Sequence, residues 1–362
     1  MTAVAPLHAL PGRSASGAIA GRSRSLDDAD MIVTRLDPAE ATAMEQWYDL
    51  VVAVARHDRP DLPVPGRTEH FARFDHPWPG SPEEALLARD GERVVGAASY
   101  LLSATLLRLE LVVHPQHRRQ GIGTRLLEEV YAAARRHRRD LIEVQAVRGE
   151  AGYRYLTHRA HRPLLTSIRS RCPITARPVE VESPDGYSLV QWRDRVPEDI
   201  IQDVAALQSR LMDDAPTGGL TVEQQRYDAE RVRAQENTEQ GRGHHWYSTA
   251  ARHDATGHVV ARTKLAFESD DHTFGRQRIT IVEPAHRGHR LGLVVKAANH
   301  AFARSHEPAL TAVDAWNAED NVHMRAVNTA LGFQPVDAWS DFQIRVPTSR
   351  SWPAGDVSSV VV

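Results

Sequence analysis

The stretch with the clearest chemical content is His114-Pro115-Gln116-His117-Arg118-Arg119-Gln120-Gly121-Ile122-Gly123-Thr124, which stands between a β-like run and a helix-like one. Pro115 has no amide hydrogen and ends strand pairing. Gly121 and Gly123 allow the backbone to pass close to a ligand as the helix begins. Free amides at such a helix start, with the positive end of the helix dipole behind them, suit a pyrophosphate. Arg118 and Arg119 can add charge. Rival phosphate loops fit less well: there is no Gly-Lys-Ser/Thr, and no Gly-x-Gly-x-x-Gly with an acidic ribose partner.

The same stretch recurs. A shift of 169 residues pairs Val113 with Val282, Pro115 with Pro284, His117 with His286, Arg118 with Arg287, Gly123 with Gly292 and Ala132 with Ala301. It goes on to pair Ala134 with Ala303, Arg135 with Arg304, His137 with His306, Leu141 with Leu310, Val144 with Val313 and Ala146 with Ala315. Chance would give about two identities in such a window. A duplicated domain explains them. The second loop reads Arg287-Gly288-His289-Arg290-Leu291-Gly292-Leu293, with Arg290 where the first has Gly121 and Gly288 as a candidate for compensation. An arginine at that position is expected to take an ordinary helical backbone.

The elements that must position these loops repeat in the same order. Asp37-Pro38-Ala39-Glu40 reads as a cap, a first-turn proline and an acidic first turn opening a helix to Arg56. Strands over 85–89 and 93–100 flank the turn pair Asp90-Gly91, and a third strand runs from Leu107 to His114. Ile122, Leu126, Leu127, Val130 and Ala134 recur at helical spacing, and 141–147 returns as a strand. The second copy is expected to have helices over 197–212 and 222–235, a hairpin at 254–257, a strand ending at Glu283, a helix over 288–304 and a strand over 310–316. The fold class is therefore α/β, with a mixed, mostly antiparallel sheet flanked by helices in each copy. Boundaries follow: a disordered tail over 1–30, domains over 31–176 and 187–347, a linker over 177–186 and a C-terminal tail over 348–362. Met31 directly precedes the first strand and could serve as an alternative start.

Strand, proline, Arg-x-x-Gly-x-Gly, then amphipathic helix resembles the GNAT superfamily of acyl-CoA-dependent N-acyltransferases. The resemblance implies acetyl-CoA as donor, held by Val113, Arg118, Arg119, Gln120, Gly121, Ile122, Gly123 and Thr124 in the first copy. In the second the corresponding residues are Val282, Arg287, Gly288, His289, Arg290, Leu291, Gly292 and Leu293. It also implies that the amide of Val113 or Val282 stabilises the thioester oxyanion. Downstream, 316–333 ends in Leu331-Gly332-Phe333 and looks like the family's other cofactor-side element. There Asn321 fits the Asn near the pantetheine, and Asn328 stands where many members have the Tyr that protonates the leaving thiolate. In the first copy Leu156 replaces that tyrosine. The second copy, with Asp213-Asp214-Ala215-Pro216-Thr217-Gly218, is similar to tandem GNAT proteins of actinobacteria, relatives of mycothiol synthase.

Acyl transfer to an amine requires removal of a proton, because a free alkylammonium has a pKa near 10. Glu110 and Glu283, near the strand ends, are the candidate bases. The second copy, with its fuller downstream element, is the expected site of direct transfer in a ternary complex, the alternative being a non-catalytic CoA-binding or regulatory module. The acceptor is expected to be a small amine of open identity, and the chain a monomer or weak homodimer in the cytoplasm. With 44 Lys+Arg against 47 Asp+Glu there is no basic field for nucleic acid, and Arg135-Arg136-His137-Arg138-Arg139 reads as a solvated helix end. The longest apolar run is too short for a bilayer. The single cysteine, Cys172, excludes an intrachain disulfide, and His244-His245 is adjacent rather than at helical ligand spacing, so no metal is expected.

Overall fold

The computed structural model describes residues 31–174, 179, 181–223, 225–268, 270 and 272–347. The two expected tails lie outside these residues, as does part of the expected linker. Among the described residues twelve strands form one sheet. The N-terminal half supplies β1 (Met31–Arg35), β2 (Glu83–Asp90), β3 (Arg93–Leu102), β4 (Leu106–Val113), β5 (Leu141–Val147) and β6 (Leu165–Pro173), with helices α1 (Ala41–Asp58), α2 (Arg67–Ala72), α3 (Ile122–Arg136) and α4 (Ala151–His158). The C-terminal half supplies β7 (Tyr187–Arg193), β8 (His245–His253), β9 (Val259–Phe267), β10 (Phe274–Val282), β11 (Ala312–Ala318) and β12 (Gln334–Arg345). Its helices are α5 (Ile201–Asp214), α6 (Ala229–Gly241), α7 (Leu291–His306) and α8 (Val322–Ala330). No helix among the described residues is long and apolar enough to cross a membrane.

The strand order β1-β2-β3-β4-β5-β12-β6-β11-β10-β9-β8-β7 reads the same from either end once the halves are interchanged. It also shows an exchange: β12 pairs antiparallel with β5, and β6 pairs antiparallel with β11. Each half thus lends its last strand to the other. The cores follow the strands. Phe342 and Ile344 of β12 are buried among Ile122, Leu126 and Ile142 of the N-terminal half, while Cys172 of β6 is buried with Val313, Leu331 and Phe333 of the C-terminal half.

Within each half the helices cover both faces of the sheet. The apolar stripe expected on α3 is buried at every position, from Ile122 through Leu126, Leu127 and Val130 to Ala134. On the opposite face α1 buries Trp47, Leu50 and Val54 against Leu87 and Ala97. In the C-terminal half α5 packs Ile201, Val204 and Leu207 near Ile279 and Ile281, and α7 packs Leu291 and Val295 against Val260 and Ala261.

Three local expectations are corrected. The first helix starts at Ala41, since Asp37 caps only a turn by accepting from the amide of Ala39 at 3.0 Å. The helix placed over 222–235 begins instead at Ala229, where Asp228 accepts from the amide of Arg231 at 2.8 Å. Glu223, just before it, crosses to the N-terminal half and accepts from Ser103 Oγ at 2.8 Å, so tertiary partners override helix propensity there. Finally, Arg290 is not helical: its φ is 60°, in the left-handed region.

Candidate active site

Each half opens its sheet at the same place. The parallel pairing of β4 with β5 runs only from Leu106↔Leu141 to Leu109↔Val144, and that of β10 with β11 only from Phe274↔Ala312 to Gln277↔Ala315. Beyond Leu109 and Gln277 the strands diverge. Because the amide of His114 bonds to Val95 O, and that of Glu283 to Val260 O, the alternation of a β-ladder turns the amides of Val113 and Val282 the other way, into the divergence. A continuous cleft of about 2890 Å³ includes both openings and both loops.

The loops follow the same backbone course with opposite residue assignments. In the first, positive φ falls on Arg119 (64°) and Gly121 (84°), and in the second on Gly288 (87°) and Arg290 (60°). The 169-residue shift superimposes Arg119 on Gly288 and Gly121 on Arg290. Each copy therefore gives glycine to one left-handed position and arginine to the other. The arginine cost is of order 1 kcal/mol per copy. Gly288 does compensate in the sense that the total number of strained positions is unchanged.

The first arginine of each motif is a clamp. Arg118 bonds both carboxylate oxygens of Asp58 at the end of α1, at 2.8 and 2.6 Å, and its Nε donates to Val113 O at 3.1 Å. Arg287 repeats this with Asp214 at the end of α5 (2.6 Å) and Val282 O (3.2 Å). These bonds hold the loop against the preceding helix, and both arginines still line the cleft. Arg119, Gly121, Ile122, Gly123 and Thr124 line the cleft, as do Gly288, Arg290, Leu291 and Gly292. Gln120, His289 and Leu293 are not among its lining residues. Asn321 lines it and caps α8 by accepting from the amide of Met324 at 3.1 Å.

The halves differ at the opening. β4 pairs with β3 in an unbroken register, whereas β10 carries one extra residue against β9 between Gln277 and Thr280. Such a bulge takes a residue out of the ladder and bends the strand. The Gln277 side chain supports it, its Nε2 donating to Thr263 Oγ1 and Lys264 O, both at 2.9 Å. The bulge falls at Arg278-Ile279, where the cleft enters the sheet of the C-terminal half.

The two candidate carboxylates do not occupy equivalent positions. Glu110 lines the cleft in the N-terminal half, with its side chain 78% exposed and Arg73 Nη2 at 3.8 Å. Glu283 follows β10, is not among the cleft-lining residues, and lies 3.8 Å from Arg210 of α5. Sequence reasoning missed the buried charges on the wall of the C-terminal half. Glu239 of α6 meets Lys264 Nζ of β9 at 2.5 Å, and that ammonium lies 4.1 Å from the centre of the Trp246 ring. Burial alone would raise the pKa of Glu268, but Arg278 and Arg276 beside it, with His244, hold it down to about 2. Lys296 of α7 is buried and lines the cleft. An alternating charge on a strand and a lone lysine in an amphipathic helix carry no periodic signal that separates them from solvated positions.

Away from the cleft, ligand atoms of His245, His272 and Glu307 lie within 4.8 Å of one another. Hydrogen bonds already account for them: Glu307 accepts from Tyr247 at 2.7 Å and meets His245 at 2.9 Å and His272 at 3.2 Å.

Residues 81–159 match the family model described as the acetyltransferase (GNAT) domain. This is the half whose loop keeps Gly121 and Gly123. Over 98 residues the chain is 40% identical to a mycothiol acetyltransferase of Parafrankia sp., a match that spans 27% of this chain and 28% of that protein's length. Among solved structures, a tandem GNAT protein from the clavulanic acid biosynthesis pathway is 28% identical and superimposes with a TM-score of 0.77 over 88% of this chain and 99% of that one. A GCN5-related N-acetyltransferase from Sphaerobacter thermophilus, 16% identical, shares the fold with a TM-score of 0.62 over 88% of this chain and 96% of that one.

Proposed function

Since this chain carries a GNAT acetyltransferase domain within the fold of a tandem GNAT protein, we propose that it moves an acetyl group from acetyl-CoA to a small amine, by direct transfer in the C-terminal half. The observation that carries the choice of half is the bulge in β10, beside diverging strands and a helix N-terminus; β4 has the divergence without the bulge.

In this reading the pyrophosphate sits on the backbone amides between Gly288 and Gly292, and the pantetheine runs into the opening between β10 and β11. The Val282 amide, turned into that opening, donates to the thioester oxygen as negative charge develops on it. Asn321 lies on the pantetheine side. The acceptor enters past α5 and α6, whose Gln208, Gln235 and Glu239 line the cleft. Its ammonium loses a proton to the Glu239 side of that wall, directly or through water, and Glu283 holds Arg210 at the cleft rim. The N-terminal loop, with Gly121 and Gly123, holds a second acyl-CoA or supports the shared sheet.

Calorimetric titration with acetyl-CoA, followed by thiol release across a panel of amines, tests this. Binding with amine-dependent thiol release is expected. Binding with no release across a broad panel identifies a CoA-sensing module instead, and no binding at millimolar acetyl-CoA removes both readings.

A further inference from the structure

α7 starts at the second loop and, in its second turn, carries Lys296. The residue is 1% exposed, yet it lines the cleft. Its Nζ donates to Asn328 Oδ1 of α8, and Asn328 Nδ2 in turn donates to Asn317 Oδ1 of β11 at 2.5 Å. The ammonium also lies 5.0 Å from the centre of the Phe333 ring. No carboxylate among the described residues forms an ion pair with it. Lys264 shows the contrast: it is also buried, but Glu239 neutralises it at 2.5 Å.

An ammonium buried without a counter-ion is costly, and the usual response is a lowered pKa. Burial brings Lys296 down to about 7. The titratable groups that face it are the Cys172 thiol from β6, which burial pushes up, and His300, one turn further along α7, which burial holds neutral with a pKa of about 3. From α8 and β11 it meets the amides of Asn328 and Asn317. The lysine is thus the one group of this cluster poised to change charge near neutral pH. It bonds to Asn328, the residue that stands where the family resemblance calls for an acidic hydroxyl.

We propose that Lys296 delivers the proton to the sulfur of coenzyme A as it leaves, with Asn328 and Asn317 holding the donor in place. The proposal rests on acyl transfer in the C-terminal half. The acceptor nitrogen, having given one proton to the α6 wall or to water, forms the C–N bond at the thioester carbon, and it gives up a second proton by the same route as the adduct becomes the amide. The C–S bond breaks with its electron pair going to sulfur, and a proton passes from Lys296 Nζ to that sulfur, giving the free thiol. The neutral lysine regains a proton from solvent, which matches one of the two released by the acceptor; the other is the net proton of the reaction. An ordinary lysine is a weaker acid than a thiol, with a pKa near 10.4 against about 8.5. In this surrounding the order reverses, and the transfer runs downhill.

The test compares acetyl-CoA with its selenoester analogue, whose selenol is a far stronger acid than a thiol and departs without protonation. The acceptors are glucosamine, a primary alkylamine and a dipeptide. Lys296→Met is expected to lower kcat with acetyl-CoA about 100-fold, the usual worth of a positioned acid, to leave KM nearly unchanged, and to recover most of the loss with the selenoester. Lys296→Arg keeps the charge without the acidity and is expected to show the same split, so a fold-level effect of losing the charge is separated from loss of the proton. Equal losses on both esters in both variants assign Lys296 a structural role and overturn the proposal. So does a Lys296→Met enzyme within about threefold of the wild type on acetyl-CoA. A wild-type chain that releases no thiol with any acceptor overturns the underlying reading, and this proposal with it.

Discussion

The two halves carry the same strand-loop-helix unit, but they have kept different parts of it. The N-terminal half has an unbroken β4, an exposed Glu110 at the opening, and a buried leucine, Leu127, at the α3 position equivalent to Lys296. The C-terminal half has a bulged β10, a wall of buried charge and a buried ammonium on α7. A leucine in a helix facing a sheet stabilises by burial alone. A lysine in the same place costs stability. The comparison teaches that both copies keep the same loop backbone, while the strand bulge and the buried lysine without an ion pair are found in the C-terminal half.

The sharpest way to break that comparison is to place a negative charge in each cradle. A Cβ at Gly292 would meet nothing nearer than Val282 Cγ2 at 3.7 Å, and one at Gly123 would meet Leu111 and Val113 side chains at 3.7 Å, so both sites have room for a side chain. Gly292→Asp is expected to reduce kcat/KM for acetyl-CoA by at least about 100-fold, through repulsion of the pyrophosphate and loss of the oriented amides. Gly123→Asp is expected to leave turnover within about threefold of the wild type. The reverse result would assign the chemistry to the N-terminal half.

The strand exchange makes a second separation testable. Phe342 belongs to the last strand of the C-terminal half, yet it is fully buried in the core of the N-terminal half, edge-on to Tyr153 at 5.7 Å. Phe342→Ala is expected to cost about 3–5 kcal/mol, and hydrogen exchange should report the loosening in β5 and α3 rather than around α5. For the same reason we propose that 31–176 and 187–347 are one folding unit. A chain cleaved between residues 177 and 186 should remain a single species in gel filtration, and residues 31–176 expressed alone, lacking β12, should aggregate.

How much of this was legible depends on the kind of signal. The amphipathic stripe of α3, the Asp90-Gly91 turn and β5 were readable because hydrophobic period and turn chemistry are local. The exchange of β6 and β12 was not, because β12 would read as a last strand whichever half it completed. In the loops, sequence placed the two helix starts but misjudged Arg290, since arginine rarely takes a left-handed backbone and the compensating trade with Gly288 shows only when φ is known. Glu239, Glu268 and Lys296 were invisible as cleft-lining residues. Single charges among ordinary polar positions announce nothing until the tertiary structure buries them.

Stability against pH sharpens the contrast between Lys296 and Leu127. With a folded-state pKa of about 7 and an unfolded value near 10.4, the unfolded chain binds the extra proton between these limits. Stability therefore rises with pH across that window, and below pH 7 the full penalty of the buried ammonium is present. Lys296→Met removes the penalty but leaves Asn328 Oδ1 without its donor, so a net gain of about 2 kcal/mol is expected at pH 6. The gain should shrink toward pH 10. A melting temperature that falls at pH 6 in this variant would show that the ammonium stabilises the fold and contradict the assignment of a functional cost.

The smallest effect concerns the traded glycines, and it isolates the loops from everything behind them. At all four left-handed positions, a side chain meets the same backbone strain, of order 1 kcal/mol. Gly121→Ala and Gly288→Ala should each destabilise by about that amount, and neither is crowded, since a Cβ at either position has no atom within 4 Å. Arg119→Gly and Arg290→Gly relieve the strain but add freedom to the unfolded chain, so each should change stability by less than about 0.5 kcal/mol. Their binding effects are expected to diverge: Arg290→Gly should weaken acetyl-CoA several-fold in a salt-dependent manner, because Arg290 lines the opening where turnover is proposed. Arg119→Gly should leave kcat/KM unchanged. If instead the two arginine variants lost turnover equally, both cradles would have to be occupied for the reaction, and the division of labour between the halves would be wrong.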